Sequence, residues 1–219
     1  MKEVGKKSGF STKSIVFDIG GILEVGEPLT KRKDCYNTKG VHEYIASKLK
    51  ISFDKYFDSI DIVYAKSITG QISKELLLKV IAQNLKKPQK EIEKLFFKAY
   101  RKIFKTNKQL YKFTFKLRKK GYKIGILSNQ WHLSKQVHAP KKRMKKFNSV
   151  VITCDMGLRK PDPKIYKLIL KKLKTKPSES IFIDNQIWNI EPAKKLGIHT
   201  ILYKNNKQMF KQLSKWGAE

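Results

Sequence analysis

Four short stretches of this 219-residue chain hold side chains that could do chemistry together. Asp18 follows the apolar run Ile15-Val16-Phe17, and Gly20-Gly21 comes directly behind it. Ser128-Asn129 closes the apolar run 122–127, Lys160 lies in Arg159-Lys160-Pro161-Asp162-Pro163, and Asp184 ends Ile181-Phe182-Ile183. A carboxylate at the end of an apolar strand is costly unless it is paired or used. Taken alone, Asp18 reads equally well as a helix-cap or turn residue. Four complementary groups in order, each at a strand end or in the loop behind one, are much harder to obtain by chance. The set suits phosphoryl transfer. Asp18 can attack phosphorus in line, Ser128 and the turn amides at Asn129 can hold phosphate oxygens, and Lys160 can neutralise the charge that develops. Asp18 and Asp184 also offer hard oxygen ligands for Mg2+.

These groups need a frame to hold them. Apolar runs at 14–17, 122–127, 150–154, 181–183 and 200–203 read as five short strands, four of them separated by helical patterns. The fold class expected is α/β, a doubly wound parallel sheet of about five strands with helices on both faces. In such a sheet a ligand sits outside the carboxyl ends of the strands, where the four groups fall. Between Gly40 and Phe104 the period is helical instead. Val41, Ile45 and Leu49 recur at spacing four, and Ser73 can cap a helix that puts Leu76, Leu77, Val80 and Ile81 on one face. Pro88 suits the first turn of a further helix, which completes an insert of about four.

Composition narrows the partners. The formal net charge is +31, carried mostly by lysine, and from Arg101 to Thr175 the only acids are Asp155 and Asp162. Such a balance attracts phosphorylated metabolites, nucleic acid or acidic membrane. No aromatic-interleaved RNA motif, zinc-finger spacing or bZIP pattern accompanies the lysines. Non-specific polyanion binding at low salt is therefore expected rather than dedicated recognition, and the basic cluster 141–146 reads as a solvated helix. Cys35 and Cys154 are too few for a disulfide framework, which points to reduced thiols and a cytoplasmic setting. No run approaches ~18 apolar residues, so no membrane span is expected, and the start of the chain lacks the apolar core of a signal peptide. His42, His132, His138 and His199 show no ligand spacing and read as surface or loop residues. Trp131 walls a pocket or packs, Trp188 reads as core, Trp216 as a staple for the tail, and Cys154 as a small buried hydrophobe. Nothing in the residues speaks to oligomeric state.

The stretches Val16-Phe17-Asp18-Ile19-Gly20-Gly21-Ile22-Leu23, Ile126-Leu127-Ser128-Asn129, Gly157 to Tyr166 and Phe182-Ile183-Asp184-Asn185 together resemble the haloacid dehalogenase-like hydrolase superfamily, on its helical-cap branch. The resemblance implies a Rossmann-like core at 14–30 and 106–219, a helical cap at 31–105 with 24–39 as hinge, and a flexible basic N-terminus at 1–13. It implies Asp18 as nucleophile, Lys160 as electrostatic stabiliser, a substrate-binding set of Ser128, Asn129, Gly20 and Gly21, and Mg2+ held by Asp18, the Gly20 carbonyl, Asp184 and Asn185. The activity implied is a phosphatase working through an aspartyl-phosphate on a small phosphorylated metabolite, sugar phosphates included. Two departures stand out. Gly20 replaces the second aspartate that serves most family phosphatases as acid and base, a loss of ~10²–10⁴-fold for poor leaving groups. Asn185 stands where many relatives have an acid. These departures keep two alternatives open: a weak or inactive relative that binds polyanion or RNA, and a metal-free 2-haloacid dehalogenase.

Overall fold

The computed structural model describes residues 12–26 and 39–218. The chain enters on β1 (Ser14–Phe17) and turns into β2 (Glu24–Gly26). Five helices follow, α1 (Lys39–Leu49), α2 (Phe53–Asp58), α3 (Asp61–Ile68), α4 (Lys74–Asn84) and α5 (Gln89–Ile103), and the chain returns on β3 (Phe104–Thr106). Helices and strands then alternate: α6 (Lys108–Lys119), β4 (Lys123–Ser128), α7 (His132–His138), α8 (Lys141–Met144), β5 (Ser149–Ile152), α9 (Pro163–Leu173), β6 (Ser180–Asp184), α10 (Ile187–Lys195), β7 (His199–Leu202) and α11 (Asn206–Lys215).

The main sheet runs β5-β4-β1-β6-β7 with every pair parallel. Alternate residues of β1 serve opposite faces. Ile15 and Phe17 pack with Leu110 and Leu117 of α6 and Met209 and Leu213 of α11. Val16 packs with Ile165 and Ile169 of α9 and Ile190 and Ala193 of α10. Both faces are covered, which is why the strands are apolar throughout rather than alternating. The order reverses between β1 and β6, so the crevice that receives ligands in such sheets opens beside Asp18 and Asp184.

The five helices enclose a core of their own, including Val41, Tyr56, Leu77, Ile81, Phe96 and Tyr100, to which Trp131 and Leu133 are added from beyond β4. Ser73 caps α4 as expected, accepting from Leu76 N at 3.2 Å. Five helices form where about four were expected. Residues 24–26, expected as hinge, pair antiparallel with β3 instead. A three-residue ribbon is too short to show alternation in a sequence. The rest of that hinge, residues 27–38 with Cys35, lies outside the described residues, as do residues 1–11 of the N-terminal segment.

Several side chains depart from their expected surroundings. His42 and His138 are buried, not exposed, and His42 Nδ1 meets the Tyr56 hydroxyl at 2.6 Å. Within the basic cluster, Arg143 reaches back to pair with buried Glu24 and lies 4.8 Å over the Tyr111 ring. Cys154 is buried, as expected, in the short turn Thr153–Asp155 beyond β5. Trp216 packs against the core with its ring 5.5 Å from His199.

The helical layer meets the sheet domain closely at Gly70, behind α3. Its φ is +67°, and a Cβ there would stand 2.7 Å from the Cys154 carbonyl oxygen. Gly157 has the same φ of +67° but open space around it. Gly157→Ala should cost about 1 kcal/mol for backbone strain alone. Gly70→Ala should cost about 2–3 kcal/mol, because the backbone clash adds to the strain. Urea unfolding midpoints of the two variants read the difference; equal losses would mean that the layer is not seated on Cys154.

Candidate active site

Each strand end delivers its side chain by a separate local device. The Asp18 amide donates to Ile183 O at 3.0 Å, which fixes the first carboxylate at the edge of β6. The chain then turns at once: Ile22, Leu23 and Glu24 amides all return to Ile19 O, and Gly21 turns with φ +76°. Lys160 comes from the loop before α9. Asp162 caps that helix, accepting from Lys164 N at 2.8 Å, and Pro163 opens it. Asn129 clamps Lys160 from both sides, its Oδ1 accepting from Lys160 N at 3.0 Å and its Nδ2 donating to Lys160 O at 3.1 Å.

These devices converge on one ion cluster. Lys160 Nζ donates to Asp18 Oδ1 at 2.9 Å and to Asp184 Oδ2 at 2.5 Å. The lysine side chain is 1 % exposed and the Asp184 side chain 0 %. Burial opposes the charge on Lys160, but Asp18 and Asp184 outweigh it and hold the lysine pKa above its ordinary value. Burial also raises the Asp184 pKa; Lys160 counteracts that and the Asp18 charge adds to it. Asp184 is further held by Gln186 N at 2.9 Å and Asn189 Nδ2 at 3.1 Å.

The cluster forms the floor of a cavity of about 390 Å³. Asp18, Gly20, Asn129 and Lys160 line it from the sheet domain, Tyr64, Ile68 and Tyr100 from the helical layer, and Arg159 and Trp188 add to its wall. Trp131 also lines it and donates from Nε1 to the Tyr100 hydroxyl at 2.8 Å, tying the two layers together across the opening.

The expected site residues are not all placed alike. Asp18, Lys160, Gly20 and Asn129 line the cavity. Both polar atoms of the Asn129 side chain are engaged with the Lys160 backbone, which makes it a positioning residue. Ser128 stands one hydrogen bond behind the wall, accepting from Gln130 Nε2 at 3.0 Å. Asp184 is reached through Lys160 and Asn189. Gly21 is taken up by the turn, its amide donating to Glu24 O at 2.8 Å. Asn185 follows Asp184, and its Oδ1 is buried without a partner among the described residues, as is Asn189 Oδ1. Trp188, expected in the core, is 44 % exposed beside the cavity. His132 bonds Ser67 at 2.8 Å.

Sequence reasoning missed Gln130 and His138. Gln130 joins Ser128 to His138 Nδ1, which lies 3.2 Å from Gln130 Oε1. Burial pushes the His138 pKa down to about 3, so the ring is neutral at pH 7. Only the spacing of 130 to 138 within one loop and helix could have hinted at the pair. Among the described residues, no three His, Cys, Asp or Glu side chains gather as a metal cage. The oxygens available to a cation are the two carboxylates, the Gly20 carbonyl and the unpartnered amide oxygens.

Comparison with known proteins agrees with this architecture. A family model described as haloacid dehalogenase-like hydrolase matches residues 12–197, and the chain belongs to that family. Acyl-CoA dehydrogenase family member 10 of Mus musculus is 39% identical over 97 residues, 44% of this chain and 9% of that protein. Glyceraldehyde 3-phosphate phosphatase of Pyrococcus furiosus is 32% identical over 98 residues, 42% of this chain and 39% of that protein. (S)-2-haloacid dehalogenase 4A of Burkholderia cepacia is 30% identical over 90 residues, 39% of this chain and 38% of that protein. The chain thus spans well under half the length of these relatives. Among solved structures, a HAD family enzyme from Bacteroides thetaiotaomicron in complex with magnesium and inorganic phosphate shares the fold. Its TM-score is 0.70 at 20% identity, covering 91% of this chain and 100% of that one. No helix among the described residues is long and apolar enough to cross a membrane.

Removing the ammonium leaves two carboxylates facing each other without a cation. Lys160→Met should destabilise the protein by about 3–5 kcal/mol at pH 7. Asp184 already has a raised pKa when folded, and the substitution raises it further, so the folded variant binds protons that the unfolded chain has released. Its stability deficit is therefore largest near neutral pH and shrinks as pH falls through the folded-state pKa of Asp184. Denaturant titrations from pH 7 to pH 5 measure both effects. A variant as stable as the parent at pH 7 would mean that the ion cluster is hydrated rather than buried.

Proposed function

We propose that this protein is a Mg2+-dependent phosphomonoester hydrolase that works through an aspartyl-phosphate, in a cytoplasmic setting. The convergence of Asp18 and Lys160 on one cavity, with Asp184 bonded to Lys160 behind them, carries the reading. The cavity suits a small phosphorylated metabolite, and the 39–103 helices act as its cap. An Asp18 carboxylate oxygen attacks phosphorus in line, the P–O ester bond breaks with its electron pair passing to the leaving oxygen, which takes a proton from water, and the phosphoryl group stays on Asp18. Lys160 offsets negative charge on the nucleophile and on the phosphoryl oxygens. Water then attacks the same phosphorus and frees Asp18 and inorganic phosphate. Cap closure limits the water that reaches this ester.

The residues present fit a divalent cation. The two carboxylates carry more charge than Lys160 neutralises, and Asn189, whose Nδ2 bonds Asp184, has a buried Oδ1 without a donor among the described residues, as has Asn185, next to Asp184 in the chain. Mg2+ favours such hard oxygen ligands and keeps part of its water shell, so it does not require a complete protein cage. Asp18, Gly20 O, Asp184 and Asn185 would hold it. When bound it supplies positive charge against an incoming phosphate dianion.

A specific observation also supports a second reading. Lys160 alone already bonds both carboxylates, and aromatic side chains form much of the wall, an arrangement that a metal-free 2-haloacid dehalogenase could use. Phosphate release from a panel of esters and chloride release from 2-chloropropionate separate the two. Hydrolysis of esters should require Mg2+ and fall at least about a thousandfold in Asp18→Asn. Turnover that survives in Asp18→Asn removes the nucleophile assignment, and metal-independent chloride release moves the protein to the second reading.

Gly20 sharpens the test. A Cβ added there meets nothing nearer than Asp18 Oδ2 at 3.9 Å. Gly20→Asp should therefore fold, and should accelerate alkyl phosphates by about 10- to 100-fold by restoring an acid for the leaving group. p-Nitrophenyl phosphate, whose leaving group needs little protonation, should gain far less. An equal gain on both would show that leaving-group protonation does not limit the parent.

A further inference from the structure

A surface groove lies away from the active cavity, between α6 and α11. It measures about 600 Å³ and is lined by Lys112, Lys116, Lys119, Phe113, Phe115 and Phe210, among others. Phe113 and Phe210 come from opposite ends of the core domain and meet at 4.4 Å. The three lysines are exposed and the three rings half-buried. At about 3.6 residues per turn the lysines run along the outer face of α6, with Phe113 and Phe210 on one flank and Phe115, against Phe147, on the other. Lys146 adds a fourth cation, its Nζ 5.5 Å above the Phe115 ring.

The charge around this groove is one-sided. No aspartate or glutamate occurs between Glu93 and Asp155, nor between Glu191 and Glu219. Helix α6 lies in the first of these stretches and α11 in the second, and the fold brings both against the same groove. Positions 112, 116 and 119 lie on one helix face, with rises of about 6 and 4.5 Å between them. A row of cations at that pitch can follow a charged backbone, while the rings beside it can take flat apolar faces.

We propose that the α6–α11 groove binds single-stranded nucleic acid, with phosphates along the lysine row and bases against the Phe113–Phe210 pair that flanks it. A second copy of this chain is disfavoured by its charge of +31. A bilayer is disfavoured because the three rings are half-buried and do not project as insertion anchors. An acidic polypeptide would satisfy the lysines but leave the aromatic rings unused. Single strands use both, because every base has a face to stack and every nucleotide a charge. Sequence reading expected non-specific polyanion binding, with an RNA-binding alternative, but could not locate a site because the aromatic and basic residues are not interleaved along one segment; α6 and α11 supply them together only after folding.

The test is fluorescence anisotropy with a labelled oligouridylate of about ten nucleotides. Lys112→Glu/Lys116→Glu is compared with Lys171→Glu/Lys172→Glu, an equal charge change on α9 across the sheet. The α6 pair should weaken binding at least about tenfold more than the α9 pair, and should lower the salt slope by about 1.4, two phosphates at ~0.7 each. Phe113→Leu and Phe210→Leu keep apolar volume but remove stacking, and each should weaken binding by about 5- to 100-fold. Thermal melting confirms that the variants remain folded. Ester hydrolysis should be unaffected by the α6 pair, so this proposal and the catalytic one fail separately. Equal weakening by the two lysine pairs, undiminished binding in the phenylalanine variants, or tighter binding to polyglutamate or phosphatidylserine vesicles overturns the proposal.

Discussion

One buried ammonium governs the geometry of this protein. Lys160 is 1 % exposed, and an isolated charge in such a place would cost several kcal/mol. It is tolerated because Asp18 and Asp184 both reach it. That requirement propagates outward. β1 and β6 must be neighbours in register, with Phe17 opposite Ile183, so that the two carboxylates leave the sheet together. The loop before α9 must fold back over the crevice, and Asn129 holds it there by both backbone atoms of Lys160. Helix α9 must start immediately afterwards, and Asp162 and Pro163 make it start.

The same constraint explains what could be read in advance. Buried parallel strands are apolar on both faces, so an acid at the end of one stands out, and Asp18 and Asp184 were legible for that reason. Lys160 was legible because Pro-Asp-Pro marks a helix start next to it. Partners contributed by distant elements left no such trace. Asn129 looked like a phosphate ligand beside Ser128, yet its clamp on Lys160 crosses 31 residues and no periodicity encodes it. Gln130 and His138 form a polar pair in the cavity wall for the same unreadable reason. Trp188 follows Ile187 and precedes Ile190, which resembles a core-facing helix. Trp188 is instead half-exposed and lines the cavity.

Gly20 shows a different relation between local structure and chemistry. The turn after Asp18 is held by backbone bonds to Ile19 O and by the positive φ of Gly21, not of Gly20. Nothing steric requires glycine at position 20. The missing side chain is thus a chemical property of the site and not a by-product of the turn. Among the described residues, Asp18 is then the one carboxyl group that lines the cavity. Glycine at position 20 also leaves the ion cluster at two carboxylates, where a third would have deepened the negative surplus around Lys160.

The high net charge acts on two scales. At long range it draws anions of every kind toward the chain, but at physiological salt this field decays within ~8 Å. Closer than that, only the local arrangement of side chains can decide where an anion stays. The active cavity and the α6–α11 groove solve that problem in opposite ways. The cavity buries one of its cations, Lys160, between two acids, which favours a small ligand that can displace or join an existing ion pair. The groove leaves its lysines unopposed by any acid on either helix and exposes them in a row, which favours a long ligand with repeated charges. A surface that was merely basic would show neither arrangement, since solvated lysines repel one another and have no reason to align beside aromatic rings.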